Sequence, residues 1–359
     1  MHASPAVLLT LSLAAASGAG TTVEFSREVP DLDRWNYPFN STPGARESAT
    51  TFGTFGIGFL DNRDAQFLLG FDTDAESENG LGVIPAGLGE ARYEIVSARV
   101  QATISTGGVF AVDTSYDPFT TYLDEKDPQH TADADPAGRP VLLFGTGYRN
   151  GYGVESGELE YVEDTPFTVV GGPPAPRVRS AFATDFPGGA ARDISNNILD
   201  HFEVAPFAVA TFDVGGVPLS EGDVVPAGAT VTLDVDLGNA DAIAYFQKGL
   251  DAGNLQLTIS SLHFAAGGPG GGEGVTYPVY FTKEDALAVF LGQAPRLELG
   301  VNILPEVSAD LDGDGVVDSS DLAIVLASWG PCAGCPADFD ASGVVDSSDL
   351  ATLLAAWSE

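Results

Sequence analysis

Positive charge is scarce in this chain. Fifteen basic residues stand against 51 acidic ones, giving a net charge of −36 over 359 residues. Only three of the bases are lysines, Lys126, Lys248 and Lys283. A surface of that sign repels phosphate backbones and anionic bilayers, which excludes nucleic acid as a partner and attracts cations. It is equally the surface of a protein kept soluble in salty water. Cysteine is nearly absent: Cys332 and Cys335 stand alone, in Pro331-Cys332-Ala333-Gly334-Cys335-Pro336. Two sulfurs fill half of a zinc shell, and a redox-active Cys-x-x-Cys needs a helix N-terminus that the flanking prolines do not suggest. A small structural disulfide is the expectation. Of the four histidines, His130, His201 and His263 are internal. None has a second His at zinc spacing, and no Ser, Cys or Asp around them forms a nucleophile motif. There is no glycine-rich phosphate loop, and no apolar run long enough to span a bilayer.

Ala6-Val7-Leu8-Leu9-Thr10-Leu11-Ser12-Leu13 is a short apolar core, followed by small residues from Ala14 to Gly20. Residues 1–20 therefore read as a secretory signal, although His2 stands where Lys or Arg is usual. Export to the extracellular space is the expected location. Asn40-Ser41-Thr42 is a formal glycosylation sequon.

From residue 21 to about 303 the chain is rich in Gly, Thr, Val and Phe and is often broken by Pro and Gly. Ala98, Val100, Ala102 and Ile104 alternate with Arg99, Gln101, Thr103 and Ser105, which predicts a strand with one buried face. Leu233–Leu237, Leu255–Ser260 and Leu297–Val301 alternate likewise. Two helices are predicted, one capped by Asn239 and one opening near Thr282 and Asp285. Gly171–Pro176 reads as a linker or an internal loop, and Gly267–Gly272 as a loop tip. Trp35, Tyr37 and Phe39 at i, i+2, i+4 share one side of an extended segment. They are the carbohydrate-stacking candidates, with Tyr148, Tyr152 and Tyr161 as a second set; the same spacing also suits a strand packing its rings inward. Paired carboxylates suitable for glycoside hydrolysis arise by chance among 51 acids, so an enzymatic role stays open without a catalytic residue to name.

Several segments of this region carry a resemblance. Asp61-Asn62-Arg63-Asp64-Ala65-Gln66-Phe67-Leu68-Leu69-Gly70-Phe71-Asp72 is followed by Ile84-Pro85-Ala86-Gly87 and Ile95-Val96-Ser97-Ala98-Arg99-Val100. Tyr280–Ala286 then leads into Ala294-Pro295-Arg296-Leu297-Glu298-Leu299. This order is similar to the DNRLRE family of carbohydrate-binding β-sandwich modules. The resemblance implies one discontinuously elaborated sandwich over residues 22–303.

The last fifty or so residues carry one twelve-residue acidic loop twice. Asp310, Asp312, Asp314, Val316, Asp318 and Asp321 recur 28 residues later as Asp338, Asp340, Ser342, Val344, Asp346 and Asp349. Side-chain oxygens at positions 1, 3, 5, 9 and 12 with Gly at position 6 are the spacing that wraps a chain around Ca2+. Val316 and Val344 would contribute backbone carbonyls, and Asp318 and Asp346 would act directly or through a water. Two Ca2+ ions are expected, the second held more weakly because Ser342 is neutral. After the loops, Leu322, Val325, Leu326 and Trp329, then Leu350, Leu353, Leu354 and Trp357, form helical apolar stripes.

A calcium loop followed by a helix, repeated once with Asp at position 12, resembles the type I dockerin family over residues 308–359. That resemblance implies docking of a cohesin-like module through Ser319, Ser320, Ser347 and Ser348. It places the chain in polysaccharide breakdown. The expected fold class is thus mainly β: a large elaborated antiparallel β-sandwich, jelly-roll-like, followed by a small α-helical calcium-binding dockerin-like module. The expected function is secreted and non-catalytic, with attachment through the tail and possible polysaccharide binding by the sandwich. A dockerin-bearing glycoside hydrolase or lyase, and an extracellular matrix or surface structural protein, are the alternatives.

Overall fold

Burial along Tyr93–Thr103 shows how the sequence builds its longest strand. Tyr93 and Ile95 are buried, Val96 and Ser97 are both exposed, and Ala98, Val100 and Ala102 are buried again. The alternation slips by one residue because the strand bulges: Ser97 pairs with Gly300 and Ile95 with Val301, leaving Val96 without a partner across the ladder.

The structure is a computed structural model that describes residues 20–40, 42–54, 61–134, 138–149, 162, 180–265, 276–304, 308–332, 334–340 and 342–358. The expected signal up to residue 19, Ser41, Tyr152, Tyr161, Gly171–Pro176 and Gly267–Gly272 lie outside the described residues. The chain divides into two compact units, Thr21–Ile303 and Leu304–Glu359.

Two seven-stranded antiparallel sheets make up most of the first unit. Edge to edge, the first runs Val217–Pro218, Thr211–Val214, Thr230–Asp234, Tyr93–Thr103, Arg296–Ile303, Thr21–Arg27 and Gly80–Leu81. The second runs Leu32–Asn36, Gln66–Asp72, Asn254–Ser261, Val141–Tyr148, Ala181–Asp185 and Arg192–Asp193, with Ala208–Val209 also on Val141–Tyr148. Phe25, Val100, Val231 and Leu299 of the first sheet share one core cluster with Phe67, Leu69, Leu143, Leu257 and Ile259 of the second. Asn239 caps the helix Ala240–Asp251 by accepting the N–H groups of Asp241 and Ala242, and Ala242, Phe246 and Leu250 anchor that helix in the same core.

The second sheet is covered on its other face too. Leu142, Phe144 and Ala183 pack there against Ile194 and Val204. Several polar residues of these strands are consequently buried and paired: Gln66 donates to the Arg63 carbonyl (3.1 Å) and accepts from the Ala183 N–H (3.2 Å), and the Thr146 and Thr258 hydroxyls meet at 2.9 Å.

These sheets correct the expected fold class. Among the described residues both are open paths of strands and neither closes on itself, so the body is not jelly-roll-like. The last strand of the first unit, Arg296–Ile303, is woven into the first sheet, between Tyr93–Thr103 and Thr21–Arg27. The second unit is not all-helical either, since Gly330–Pro331 and Val344–Val345 pair as strands there. The physical reason is that alternation and turn residues locate strands but do not specify how distant ladders join.

In the second unit, helices Ser319–Ala327 and Ser347–Ala355 are opened by Asp318 and Asp346, each with a complete capping box. Ala309, Val325, Ala337, Phe339, Val345 and Leu353 form its core. Only part of each apolar stripe is buried: Leu326, Trp329, Leu354 and Trp357 are exposed. The repeats brace one another. Val317 N–H donates to Ser358 Oγ (3.0 Å) and Ser358 N–H to the Val317 carbonyl (2.9 Å). Their counterparts 28 residues away, Gly330 and Val345, pair as strands. Each helix exit is thus tied to the other repeat's loop. Cys332 and Cys335 form the expected disulfide.

Candidate cation site

Each acidic loop is organised by its last carboxylate. Asp321 is fully buried. Its Oδ1 accepts the N–H groups of Leu311 (2.6 Å) and Asp312 (3.2 Å), and its Oδ2 accepts that of Asp318 (2.8 Å). The Asp318 amide is the leading cause that holds the Asp321 carboxyl below the usual carboxylate range. Asp349, equally buried, repeats the arrangement with Phe339 (2.6 Å), Asp340 (3.4 Å) and Asp346 (2.8 Å).

Above this base the first carboxylate folds the loop. Asp310 Oδ1 accepts the N–H groups of Gly313 (2.7 Å) and Asp314 (3.1 Å), and Oδ2 that of Gly315 (2.8 Å). Asp314 accepts from Val316 N–H (2.8 Å). In the second loop, Asp338 accepts from Gly343 N–H (2.9 Å) and Asp340 from Ser342 N–H (3.0 Å). The Ser342 hydroxyl donates to the Val344 carbonyl at 3.0 Å.

Two sets of carboxylates converge as a result, Asp310 with Asp312 and Asp314, and Asp338 with Asp340 and Asp349, the ligand oxygens in each set within 4.8 Å of one another. Three negative charges at that range repel. Asp312 is raised, first by desolvation and then by the charges of Asp314, Asp321 and Asp310. Asp340 is lowered, chiefly by the Ser342 hydroxyl. A divalent cation would relieve the repulsion, and an all-oxygen donor set suits a hard ion. Asp321 is not drawn into the first set as Asp349 is into the second. Asp318 and Asp346 serve as helix caps, accepting from Ser320 N–H (2.7 Å) and Ser348 N–H (2.8 Å).

The other sequence candidates lie apart from these loops. Trp35 and Tyr37 are buried and stack with ring centroids 5.0 Å apart, while Phe39 is half exposed. The three rings therefore do not present a common outward platform. Ser319, Ser320, Ser347 and Ser348 are exposed in the first turns of their helices. Sequence reading missed two features of the body. One is a cavity of about 400 Å3 lined by residues that include Phe186, Tyr245, Lys248 and Gln256. The other is a set of fully buried ionisable residues, Asp33, Arg63, Asp64 and Asp113 among them. The run Asp61–Asp64 between apolar strands was the signal for part of that set.

No family model matches the chain, and no curated protein or solved structure matches it. The resemblances to the dockerin and DNRLRE families are therefore not upheld. Architecture overturns the first directly: the structure is dominated by large interconnected sheets, with Arg296–Ile303 tied to Tyr93–Thr103 and Thr21–Arg27, and not by a small all-helical EF-hand-like module. Attachment through a distinct dockerin-like module, as the protein's function, falls with it. What stands is narrower: two acidic side-chain clusters able to chelate a metal ion. Among the described residues no helix is long and apolar enough to cross a membrane.

Proposed function

We propose that the two acidic loops bind divalent cations, Ca2+ in preference to Mg2+, and that the bound ions staple residues 308–358 together. The observation that carries this reading is the convergence of Asp310, Asp312 and Asp314 in one loop and of Asp338, Asp340 and Asp349 in the other. Ca2+ accepts six to eight oxygens in an adaptable shell, whereas Mg2+ demands a tight octahedron and gives up water reluctantly. Loops assembled from short aspartates, backbone carbonyls and water suit the former. Export is part of the proposal, because extracellular Ca2+ is abundant enough to fill loops of modest affinity. For a partner, the exposed Leu326, Trp329, Leu354 and Trp357 favour a protein surface over a polysaccharide, given that Trp35 and Tyr37 are buried.

Calorimetric titration of the full chain, stripped of metal and then given CaCl2, tests the reading. Two binding events are expected. Asp310→Asn should remove one and Asp338→Asn the other, each by at least about tenfold in affinity. A wild-type titration with neither heat nor gain of helical circular dichroism would refute it.

A further inference from the structure

The two loops differ in what holds them open for an ion. In the first, the Asp310 N–H donates to Ser308 Oγ only two residues away (3.2 Å). In the second, the corresponding Asp338 N–H donates to the Cys335 carbonyl (3.0 Å), and the Cys332 N–H donates to the Gly343 carbonyl (2.9 Å). Cys335 N–H in turn donates to the Cys332 carbonyl (3.1 Å). One disulfide therefore grips both ends of the segment 338–343, which carries Asp338, Asp340 and Ser342. The two half-cystines also pack against the core of this unit. This bracing falls on the loop with the poorer donor set, where Ser342 stands in place of Asp314. A loop with one charge fewer gains most from being ordered before the ion arrives, since ordering it otherwise subtracts from binding.

We propose that the Cys332–Cys335 disulfide is a positioning element of the second cation loop, so that its reduction weakens cation binding there and spares the first loop. The inference rests on the cation reading above. The reductant is a dithiol. Its two electrons and two protons pass to the sulfurs, the Cys332–Cys335 bond breaks to two thiols, and the dithiol closes to its own cyclic disulfide.

The test uses the full chain and CaCl2 as the probe. Asp310→Asn isolates the second loop and Asp338→Asn the first, each titrated before and after dithiothreitol. Reduction should lower affinity in the Asp310→Asn chain by about tenfold or more and leave that of the Asp338→Asn chain unchanged. The double variant Cys332→Ser, Cys335→Ser in the Asp310→Asn background should reproduce the loss without reductant. Should that variant misfold, the reduced Asp338→Asn chain reports whether the unit itself survives reduction. Equal affinities before and after reduction overturn the inference while leaving cation binding intact. An equal loss in both loops also overturns it, because the disulfide would then support the unit as a whole. Absence of Ca2+ binding in the oxidised wild type removes both readings.

Discussion

At the scale of single residues, two buried ionisable groups should govern how stability responds to pH. His263 is almost wholly buried, lies edge-on to Phe110 with centroids 5.1 Å apart, and among the described residues has no hydrogen-bond partner on either ring nitrogen. Burial, with a smaller contribution from the Arg139 charge, pushes its pKa down to about 3. The unfolded chain then takes up a proton before the folded one does. Stability is full above the unfolded value of about 6.5 and falls as the pH drops toward the folded value, by roughly 3 kcal/mol at pH ~4. His263→Phe keeps the ring contact and removes the titration. Urea melts of the variant should therefore show a flatter acid limb, and a limb as steep as that of the wild type would count against this assignment. Asp33 works at the other end of the scale. It is fully buried, accepts the Lys283 N–H at 2.7 Å, and is raised well above the carboxylate range by burial first and then by Glu284. The folded state holds that proton longer than the unfolded state does. Stability from this group is present at acid pH and is lost as the pH rises through the raised value. Asp33→Asn should leave stability near pH ~3 little changed and raise it increasingly between pH ~4 and pH ~8 relative to wild type, as read from the same melts.

At the scale of elements, close approaches of backbone decide which substitutions the sheets tolerate. Gly107 sits where the turn after Tyr93–Thr103 passes Pro226 and Ala227. A Cβ there would fall 1.8 Å from the Ala227 nitrogen and 2.3 Å from the Pro226 carbonyl carbon, neither of which can yield as a side chain would. Gly292, which ends the Ala286–Phe290 helix at φ +67, faces open space. Gly107→Ala should cost about 3 kcal/mol or more through forced displacement of backbone, and Gly292→Ala about 1 kcal/mol through its left-handed conformation alone. Chemical denaturation of the two variants measures the difference; equal costs would contradict the packing argument. Legibility from the sequence divides in the same way. The alternation of Ala98, Val100 and Ala102 was legible because that strand has one wet face, and the disulfide was legible from its spacing and flanking prolines. The second sheet was harder, because Gln66, Thr258 and Ser260 read as an exposed face yet are buried, as Leu142 and Phe144 of the same sheet are against Ile194 and Val204. Which strands would pair across more than two hundred residues, as Thr21–Arg27 does with Arg296–Ile303, has no local signal at all. In the loops, oxygen spacing identified Asp310, Asp312 and Asp314 as neighbours. It did not show that Asp321 spends its oxygens on three backbone amides while Asp349, on three of its own, still reaches the carboxylate set.

At the scale of the whole molecule, a net charge of −36 makes the chain repel itself, and any salt relieves that repulsion by shortening the Debye length. A general ionic effect and a bound ion must therefore be separated. Screening depends on ionic strength and acts on all exposed carboxylates. It should raise the melting temperature gradually with NaCl and act on both compact units. A site of defined donors depends on the identity of the ion, saturates, and acts where Asp310–Asp314 and Asp338–Asp349 lie. Mass action stabilises the occupied unit by about 2.7 kcal/mol when the ion stands at a hundredfold its dissociation constant. In a unit this small that corresponds to a shift of roughly ten degrees or more. Scanning calorimetry of the metal-stripped chain in about 1 mM CaCl2 should accordingly show one transition moved far more than in about 3 mM NaCl, which matches it in ionic strength. MgCl2 at the CaCl2 concentration should move that transition less, because an octahedral shell fits the aspartate loops poorly. The paired variant Asp310→Asn, Asp338→Asn should lose the Ca2+-specific shift and keep the NaCl response. If CaCl2, MgCl2 and NaCl at equal ionic strength moved every transition alike, the acidic loops would be part of a screened surface, and the tail would owe its order to Val325, Leu353 and the disulfide alone.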